Sequence, residues 1–188
     1  METKVPLIPI SILLYHQIGR HPKLGTNLSC FCDVDRFYSQ MAYLKKSFYN
    51  VIGLKELYES LLGNQTPYRP SVVLTFDDAD ISFYDLVMPI LQEFKFPSVL
   101  FAVSGVLGLK AKWIKRTSAK VSIMTAKQIR ELNSLGVEVG SHSIEHFRLT
   151  HLNREQMINE IYDSKKSLED VLDDEVYSFA YPHGDYDP

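Results

Sequence analysis

The run Ser71–Phe76, with the sequence Ser-Val-Val-Leu-Thr-Phe, constrains the fold of this chain more than any other feature. It is short, rich in β-branched residues and largely apolar, and it does not alternate between polar and apolar positions. A strand of this composition is typical of a parallel sheet, in which both faces of the strand are covered. The run therefore predicts a parallel sheet flanked by helices.

Short apolar runs and helically spaced apolar residues take turns along the rest of the chain, separated by loops that contain Gly or Pro. This alternation predicts an α/β fold, in which functional groups gather at the carboxyl ends of the strands. The expected strands cover 10–15, 49–52, 71–76, 98–103, 137–140 and 176–181. The expected helices cover 35–48, 54–62, 85–94, 125–135 and 154–172, with longer loops at 19–33 and 110–121.

Length and composition indicate one globular domain over residues 1–188. Of the 188 residues, 45% are hydrophobic and 23% charged, which suits a single buried core. The formal net charge of −3 gives no reason to expect a nucleic-acid partner. Cys30 and Cys32 are too close in sequence for an ordinary disulfide, and they lack the second cysteine pair of a zinc knuckle.

The apolar N-terminal stretch 5–14 is interpreted as a buried strand and not as a signal peptide. Pro6 and Pro9 interrupt it, and no small-residue cleavage site follows. No run reaches the roughly 18 apolar residues of a transmembrane helix. The sequence thus shows no export signal of its own. We leave the location open between the cytoplasm and, if a signal was removed, the cell envelope or exterior.

Two adjacent carboxylates, Asp77 and Asp78, directly follow the run 71–76. Unpaired charges at the end of an apolar strand would be expensive to bury. A metal ion or an acid–base role would compensate them. The alternative is that one of the two aspartates caps the following helix.

Two histidines, His142 and His146, follow the predicted strand 137–140. Imidazoles four residues apart lie on one face if the segment turns helically, close enough to hold one ion. Together with an aspartate they offer two nitrogens and a carboxylate, a ligand set that leaves positions open for water and substrate. An unrelated pair of histidines is the alternative.

A third polar segment, 179–186, ends the last predicted strand with the sequence Phe-Ala-Tyr-Pro-His-Gly-Asp-Tyr. A turn that contains Pro and Gly can aim a backbone N–H into a site, where it stabilises an oxyanion. The same sequence would equally suit an ordinary surface loop.

In this order the three segments resemble the motifs of the polysaccharide deacetylase family. The likeness rests on Thr-Phe-Asp-Asp at 75–78, Ser-His-Ser-x-x-His at 141–146 and Phe-Ala-Tyr-Pro-x-Gly at 179–184, and it extends from about Ile12 to Tyr186. Each motif alone is weakly specific, whereas all three in order are strongly specific. The resemblance implies a distorted (β/α) barrel and a hydrolase that removes acetyl groups from N- or O-acetylated carbohydrate polymers.

The resemblance also implies a role for each motif residue. Asp78, His142 and His146 would hold a divalent metal, most commonly zinc and otherwise cobalt, nickel or iron. Asp77 would be the general base, and the backbone N–H of His183 would stabilise the oxyanion. The expected substrate-binding residues are Tyr181, Pro182 and Tyr186. Stacking on sugar rings by Tyr186, Trp113 and Phe147 is a further hypothesis, with simple packing as the alternative.

Most of the family donates a proton to the leaving amine from a histidine in a Leu-x-His motif near the C-terminus. This sequence has no such motif after residue 180, but it has Leu14-Tyr15-His16 on the first predicted strand. The branch that acts on poly-β-1,6-N-acetylglucosamine is circularly permuted, so that the equivalent histidine precedes the double Asp. His16 is therefore the candidate general acid, and a structural histidine at a strand end is the alternative.

The sequence departs from the family pattern at three points. Ala79 stands where the family usually has Gly, which matters if that residue needs a positive φ. Ala180 stands where many members place an Arg that braces the base. The chain also stops at Pro188, just beyond the third motif. We therefore expect a truncated domain whose incomplete barrel exposes a sheet edge, unless the chain associates with itself.

Three functions stay open at this point. The first is a carbohydrate deacetylase acting on poly-N-acetylglucosamine, peptidoglycan, chitin oligomers or acetylated xylan. The second is a hydrolase of small linear or cyclic amides, because one fold supports many substrates. The third is a catalytically weak relative that binds glycans.

Overall fold

The computed structural model describes residues 8–22, 27–114 and 121–187. Over these ranges strands and helices alternate as the sequence predicts. The strands are β1 (Ile10–Tyr15), β2 (Gln17–Gly19), β3 (Phe31–Asp33), β4 (Asn50–Val51), β5 (Ser71–Phe76), β6 (Val99–Ala102) and β7 (Glu138–Ser141). The α-helices are α1 (Val34–Lys46), α2 (Leu54–Leu61), α3 (Met88–Phe94), α4 (Ala126–Ser134) and α5 (Arg154–Leu172).

Five of the strands form one parallel sheet in the order β1-β5-β6-β7, with β4 also paired to β5. β1 pairs with the whole of β5, from Ile10 opposite Ser71 to Tyr15 opposite Phe76. β4 and β6 therefore share the other edge of β5, β4 at its start and β6 at its end. Because the strands are parallel, their carboxyl ends meet at one edge of the sheet, where the first two motifs lie.

The central strand β5 is buried on both faces, which confirms the interpretation of its composition. On one face Leu74 and Phe76 belong to the larger core, which residues of α1, α3, α4 and α5 complete. The ring of Phe76 meets the ring of Phe37, from α1, edge to face with centroids 5.9 Å apart. The smaller cluster on the other face consists of Ile52, Val73, Val99 and Phe101.

The last predicted strand, 176–181, is wrong as a regular strand. Phe179 forms a single parallel bridge with Ser141, flanked by hydrogen bonds from Ser141 N–H to Ser178 O (2.8 Å) and from Ala180 N–H to Ser141 O (2.9 Å). The pairing stops there because β7 itself ends at Ser141, where the chain turns away from the sheet. The segment is nevertheless held against the carboxyl end of β7.

Most other predicted bounds differ from the structure by one or two residues, and two segments differ by more. The helix expected from residue 85 begins as a π-helical turn, Phe83–Val87, and becomes α3 only at Met88. The loop expected at 19–33 contains β3 and the end of β2, while residues 23–26 lie outside the described ranges. Residues 115–120 of the loop expected at 110–121 and most of the predicted N-terminal strand 5–14 before Ile10 also lie outside them.

Within the described ranges the sheet is open, with β1 and β7 at its two ends. The interpretation of the N-terminal stretch as a buried strand is wrong for β1, because β1 lies at an end of the sheet: none of its residues is fully buried, and the side chains of Ile12 and Leu14 are 56% and 55% exposed. Truncation of the domain and self-association stay predictions.

Cys30 and Cys32 are free and half-buried, as expected. None of the described helices combines the length and apolar character that a membrane crossing requires.

Two leucines on neighbouring strands provide a test of where the core lies. In the 188-residue chain, we expect Leu74→Ala to lower the free energy of unfolding by about 2–5 kcal/mol, because Leu74 is fully buried and its loss leaves a cavity. We expect the matched change Leu14→Ala, at an exposed position, to cost less than about 1 kcal/mol. Urea unfolding measures both, and equal losses would contradict the assignment of β5 as the core strand.

Candidate metal centre

Asp77 and Asp78 leave β5 at its carboxyl end, and both are 8% exposed. The N–H of Asp77 donates to Tyr15 O (3.0 Å) and so extends the ladder between β1 and β5. The chain then turns sharply, with φ of 74° at Asp78 and 58° at Ala79. Neither aspartate caps the following helical turn, whose N-cap is Ser82. The capping alternative is therefore wrong.

The departure from the family pattern at residue 79 thus falls on a left-handed backbone position. Ala79 is fully buried, and its carbonyl accepts a hydrogen bond from Met124 N–H (2.9 Å). An L-residue in this conformation costs roughly 1–2 kcal/mol, which Gly would avoid. The buried methyl group and the hydrogen bond from Met124 hold the turn in spite of that cost.

His142 and His146 follow β7, and both rings are buried, with centroids 4.8 Å apart. The segment between them is not helical, because Ser143 and His146 have φ of 68° and 61°. The prediction that a helical turn brings the two imidazoles together is therefore wrong, although the imidazoles do meet. A tight turn replaces the helix, in which the Ser143 hydroxyl accepts from His146 N–H (3.0 Å).

The two imidazoles converge on the carboxylate of Asp78. Its Oδ1 lies 3.3 Å from His146 Nε2 and 3.7 Å from His142 Nε2. One ligand atom from each of the three residues lies within 4.8 Å of the others. Asp77 is adjacent, with Oδ2 3.8 Å from His142 Nε2. The structure thus brings all four predicted residues to one point.

Burial shifts the ionisation of this cluster strongly. Desolvation, together with the neighbouring charge of Asp78, raises the pKa of Asp77 to about 7. Burial alone would also raise the pKa of Asp78, but the close contact with His146, whose Nε2 lies 3.3 Å from Asp78 Oδ1, and the charges of His142 and His16 lower it overall. Desolvation lowers the pKa of His142 to about 4, so this imidazole is neutral at pH 7.

The tautomer of His142 follows from its partner. Nδ1 lies 2.9 Å from Ala180 O, and a carbonyl can only accept, so Nδ1 carries the proton. The lone pair of Nε2 is then directed at the two carboxylates. A histidine held in this way through its other ring nitrogen is typical of metal sites in proteins.

Unsatisfied atoms indicate that the cluster fits a cation. Of the buried side-chain atoms in the described part of the chain, four have no hydrogen-bond partner, and three belong here: Asp77 Oδ1, Asp78 Oδ1 and His146 Nδ1. Buried polar atoms are rarely left without partners, so such a concentration needs an explanation. Two imidazole nitrogens and a carboxylate oxygen match the ligands that catalytic zinc takes, with positions left for water and substrate. The residues present therefore fit a divalent ion.

His16 follows β1 just as Asp77 follows β5, because Tyr15 lies opposite Phe76. It is half-buried. Burial lowers the pKa of His16, an effect that the charge of Asp78 opposes and that of His146 reinforces. His16, which was predicted from the far end of the sequence, is thus close enough for the charges of the cluster to shift its pKa.

The turn 181–185 lies beside the cluster on its exposed side. The ring of His183 stands edge to face with the ring of His146 at 4.5 Å, and its backbone has φ of 61°. Asp185 ties the turn to the segment after the histidines, accepting from Arg148 Nη1 (3.0 Å) and from Thr150 Oγ1 (2.9 Å).

The three residues predicted to bind substrate differ in exposure. Tyr181 and Tyr186 are 52% and 68% exposed, with ring centroids 6.2 Å apart. Pro182 is buried and supports the turn. The two tyrosines offer an open aromatic surface, whereas Pro182 is not accessible to a ligand.

Two further side chains contact the histidines or the loop that carries them. Trp113, a candidate for sugar stacking, instead lies flat on the ring of His146, with centroids 4.3 Å apart and an interplanar angle of 21°. Glu160 of α5, which no sequence pattern had assigned to the site, is 8% exposed and accepts hydrogen bonds from the loop that carries both histidines. The spacing in the sequence could have indicated its burial, because the buried face of α5 repeats every four residues: Glu160, Ser164, Leu168 and Leu172.

Comparison with known proteins agrees with these motifs. A family model described as polysaccharide deacetylase matches residues 64–188. The poly-β-1,6-N-acetyl-D-glucosamine N-deacetylase of Staphylococcus aureus is 25% identical over 158 residues, which cover 79% of this chain and 52% of that protein. The chain spans about half the length of the curated relatives it matches.

Solved structures show the same fold. The deacetylase PplD of Streptococcus pyogenes, in complex with acetate, matches with a TM-score of 0.82 and 28% identity, covering 97% of this chain and 77% of that one. IcaB from Ammonifex degensii also matches with a TM-score of 0.82, at 23% identity, covering 96% and 77%. The second likeness bears on the fold alone.

The cluster predicts a stoichiometric metal site. After removal of bound metal and reloading, we expect the purified chain to hold about one zinc ion, and His142→Ala to abolish this binding because it removes a buried ligand. His151→Ala, which changes an exposed histidine outside the cluster, is the matched control and should bind like the wild type. Elemental analysis and zinc titration measure both. A wild-type chain without zinc, or equal binding by His142→Ala, would refute the site.

Proposed function

Since the chain belongs to the polysaccharide deacetylase family, we propose that it is a metal-dependent hydrolase that removes acetyl groups from an acetylated carbohydrate polymer. The observation that carries this proposal is the buried cluster of Asp78, His142 and His146, with Asp77 beside it, at the carboxyl edge of the parallel sheet. Zinc is the cation we propose, with cobalt, nickel or iron as functional substitutes.

An N-acetylated hexosamine polymer is the proposed substrate. The name of the Staphylococcus aureus relative states that it acts on poly-β-1,6-N-acetyl-D-glucosamine, and the likeness covers 79% of this chain. The exposed rings of Tyr181 and Tyr186 beside the cluster support a carbohydrate, because aromatic faces stack on the apolar faces of sugar rings. A small amide would need no such open surface, so the polymer is the better match.

Asp78, His142 and His146 would hold the cation, which when bound lowers the pKa of a water molecule and polarises the acetyl carbonyl. Asp77 lies outside this ligand set but within 3.8 Å of His142 Nε2, and its Oδ1 has no partner among the described residues. It is therefore placed to accept the proton of the attacking water as general base. The N–H of His183, in the turn packed against His146, is the proposed donor to the oxyanion.

The leaving amine needs a proton when the C–N bond breaks, and His16 is the proposed donor. Its position at the end of β1, opposite Asp77, supports this role. Asp77 and His16 would then act from neighbouring strand ends, one as base and one as acid. Proton transfer by positioned side chains typically contributes 10²–10⁴-fold to the rate.

Acetate release tests the reaction and the base together. We expect the chain to release acetate from N-acetylglucosamine oligomers, to lose this activity with a chelator and to regain it with zinc or cobalt. Asp77→Asn should lower kcat by about 10²–10⁴-fold while zinc binding persists, because it removes the base and leaves the three ligands in place. Asp163→Asn, at an exposed position on α5, is the control for loss of a carboxylate and should match the wild type.

Two other outcomes would assign a different function. Hydrolysis of small linear or cyclic amides without acetate release from the oligomers would favour an amide hydrolase. Glycan binding without acetate release, unchanged by Asp77→Asn, would favour a binding protein.

The role of His16 predicts a dependence on the leaving group. We expect His16→Ala to slow deacetylation of N-acetylglucosamine oligomers by about 10²-fold or more, because the amine must be protonated as it leaves. Hydrolysis of 4-nitrophenyl acetate should change by less than about threefold, because its phenolate leaves without a proton. Parallel kinetics on both substrates measure the difference, and equal losses on both would show that His16 is not the acid.

A further inference from the structure

A buried carboxylate from α5 holds the loop between the two histidines. Glu160 Oε2 accepts hydrogen bonds from the backbone N–H of Ile144 (2.9 Å) and of Glu145 (3.0 Å). Both donors lie between His142 and His146 in sequence. Hydrogen bonds to an ionised acceptor are about twice as strong as those between neutral groups, and burial excludes water as a substitute.

The opposite side of the same loop is held by the segment after β6. Ser104 N–H donates to Ser143 O (3.0 Å), and Gly105 N–H donates to Ile144 O (3.0 Å). A Cβ atom at Gly105 would lie 2.6 Å from Ile144 O, so only glycine allows this approach. The amides of the loop thus bind α5, while its carbonyls bind the 104–105 segment.

One turn further along α5, a second polar residue contacts the exit of β7. Ser164 is fully buried, and its hydroxyl lies 2.7 Å from the hydroxyl of Ser141. Ser141 Oγ in turn accepts from Ser143 N–H (3.3 Å). Ser164 and Glu160 thus contact the chain before and after Ser143, where its backbone enters the left-handed region. A conformation of this kind persists only where its surroundings enforce it.

From these contacts we propose that Glu160 is a positioning residue for the metal centre. By fixing the peptide groups between the two histidines, Glu160 sets the separation and direction of the two imidazoles, and hence the affinity of the site for its cation. The role rests on the proposed metal centre. It does not require Glu160 to touch the metal or the substrate.

Metal affinity, and not only activity, tests this role. We expect Glu160→Ala to weaken zinc binding by about 10–100-fold, the usual effect of losing a group that orients metal ligands. The visible absorption spectrum of the cobalt-loaded protein should also change, because that spectrum reports ligand geometry. Glu160→Gln keeps an oxygen acceptor but loses the charge, so we expect a smaller loss that still exceeds about threefold.

The control is Asp163→Asn, an exposed carboxylate on the same helix, which should leave the zinc affinity and the cobalt spectrum unchanged. Thermal unfolding of the metal-free variants separates positioning from folding. Lower stability of Glu160→Ala with wild-type affinity and spectrum would overturn the proposal. If Glu160→Ala does not fold, Glu160→Gln decides, and an affinity equal to that of Asp163→Asn would overturn it.

The outcomes also separate this role from the function on which it rests. A wild-type chain that binds no zinc would overturn the metal centre and this role together. Zinc binding by the wild type that is matched by a folded Glu160→Ala would overturn this role alone. With cation at saturating concentration, we further expect Glu160→Ala to lower kcat while KM changes by less than about twofold, because the proposed substrate contacts, Tyr181 and Tyr186, lie outside the loop that Glu160 holds.

Discussion

The burial of two adjacent carboxylates at the end of β5 is the constraint on which the rest of the site depends. Asp77 and Asp78 are each 8% exposed, and the charge of one raises the pKa of the other. The fold tolerates them because two imidazole nitrogens lie within 3.7 Å of Asp78 Oδ1. Even so, neither Asp77 Oδ1 nor Asp78 Oδ1 forms a hydrogen bond with any of the described residues. A cation held by Asp78, His142 and His146 would satisfy Asp78 Oδ1 and offset the charge of Asp77 beside it, which is why we regard the cluster as a metal centre and not as a structural ion pair.

The parallel sheet brings the site together from distant parts of the sequence. The pairing of Tyr15 with Phe76 places His16 beside Asp77, and His142 N–H donates to Ala102 O (2.9 Å) where β7 ends beside β6. His16, Asp77 and His142 thus each directly follow a strand whose register is fixed by the pairing within the sheet. Because these residues are attached directly to strand ends, loop flexibility has little influence on their positions. Such rigidity suits chemistry in which small displacements are costly.

The sequence predicted the elements that have a periodic pattern and the residues that lie in the three motifs. It did not predict the turns and contacts that depend on the local shape of the backbone. The bounds of β5 and α5 were predicted to the residue, because each has a continuous apolar or helical pattern. The residues of the buried cluster were predicted from the two carboxylates after an apolar strand, from the spacing of the histidine pair and from the order of the three motifs. The non-helical turn at 142–146 and the shortened strand before Tyr181 could not be read from composition, since tertiary hydrogen bonds select both conformations. Glu160 was missed because a single acidic residue in a helix usually faces solvent.

Left-handed backbone in this chain is concentrated at the site. Among the described residues other than glycine, seven have a positive φ, and two of these, Lys95 and Asp173, are helix C-caps, where this conformation is ordinary. Of the other five, four lie within the three motifs and the fifth, Ala79, directly follows the first motif: Asp78, Ala79, Ser143, His146 and His183. Four of these five residues, Asp78, Ala79, Ser143 and His146, are buried, whereas His183 is exposed. Strain of this kind requires support from outside the turn, and for the histidine loop that support comes from α5 and the 104–105 segment. The geometry of the centre is therefore a property of the surrounding polar contacts as much as of the ligands themselves.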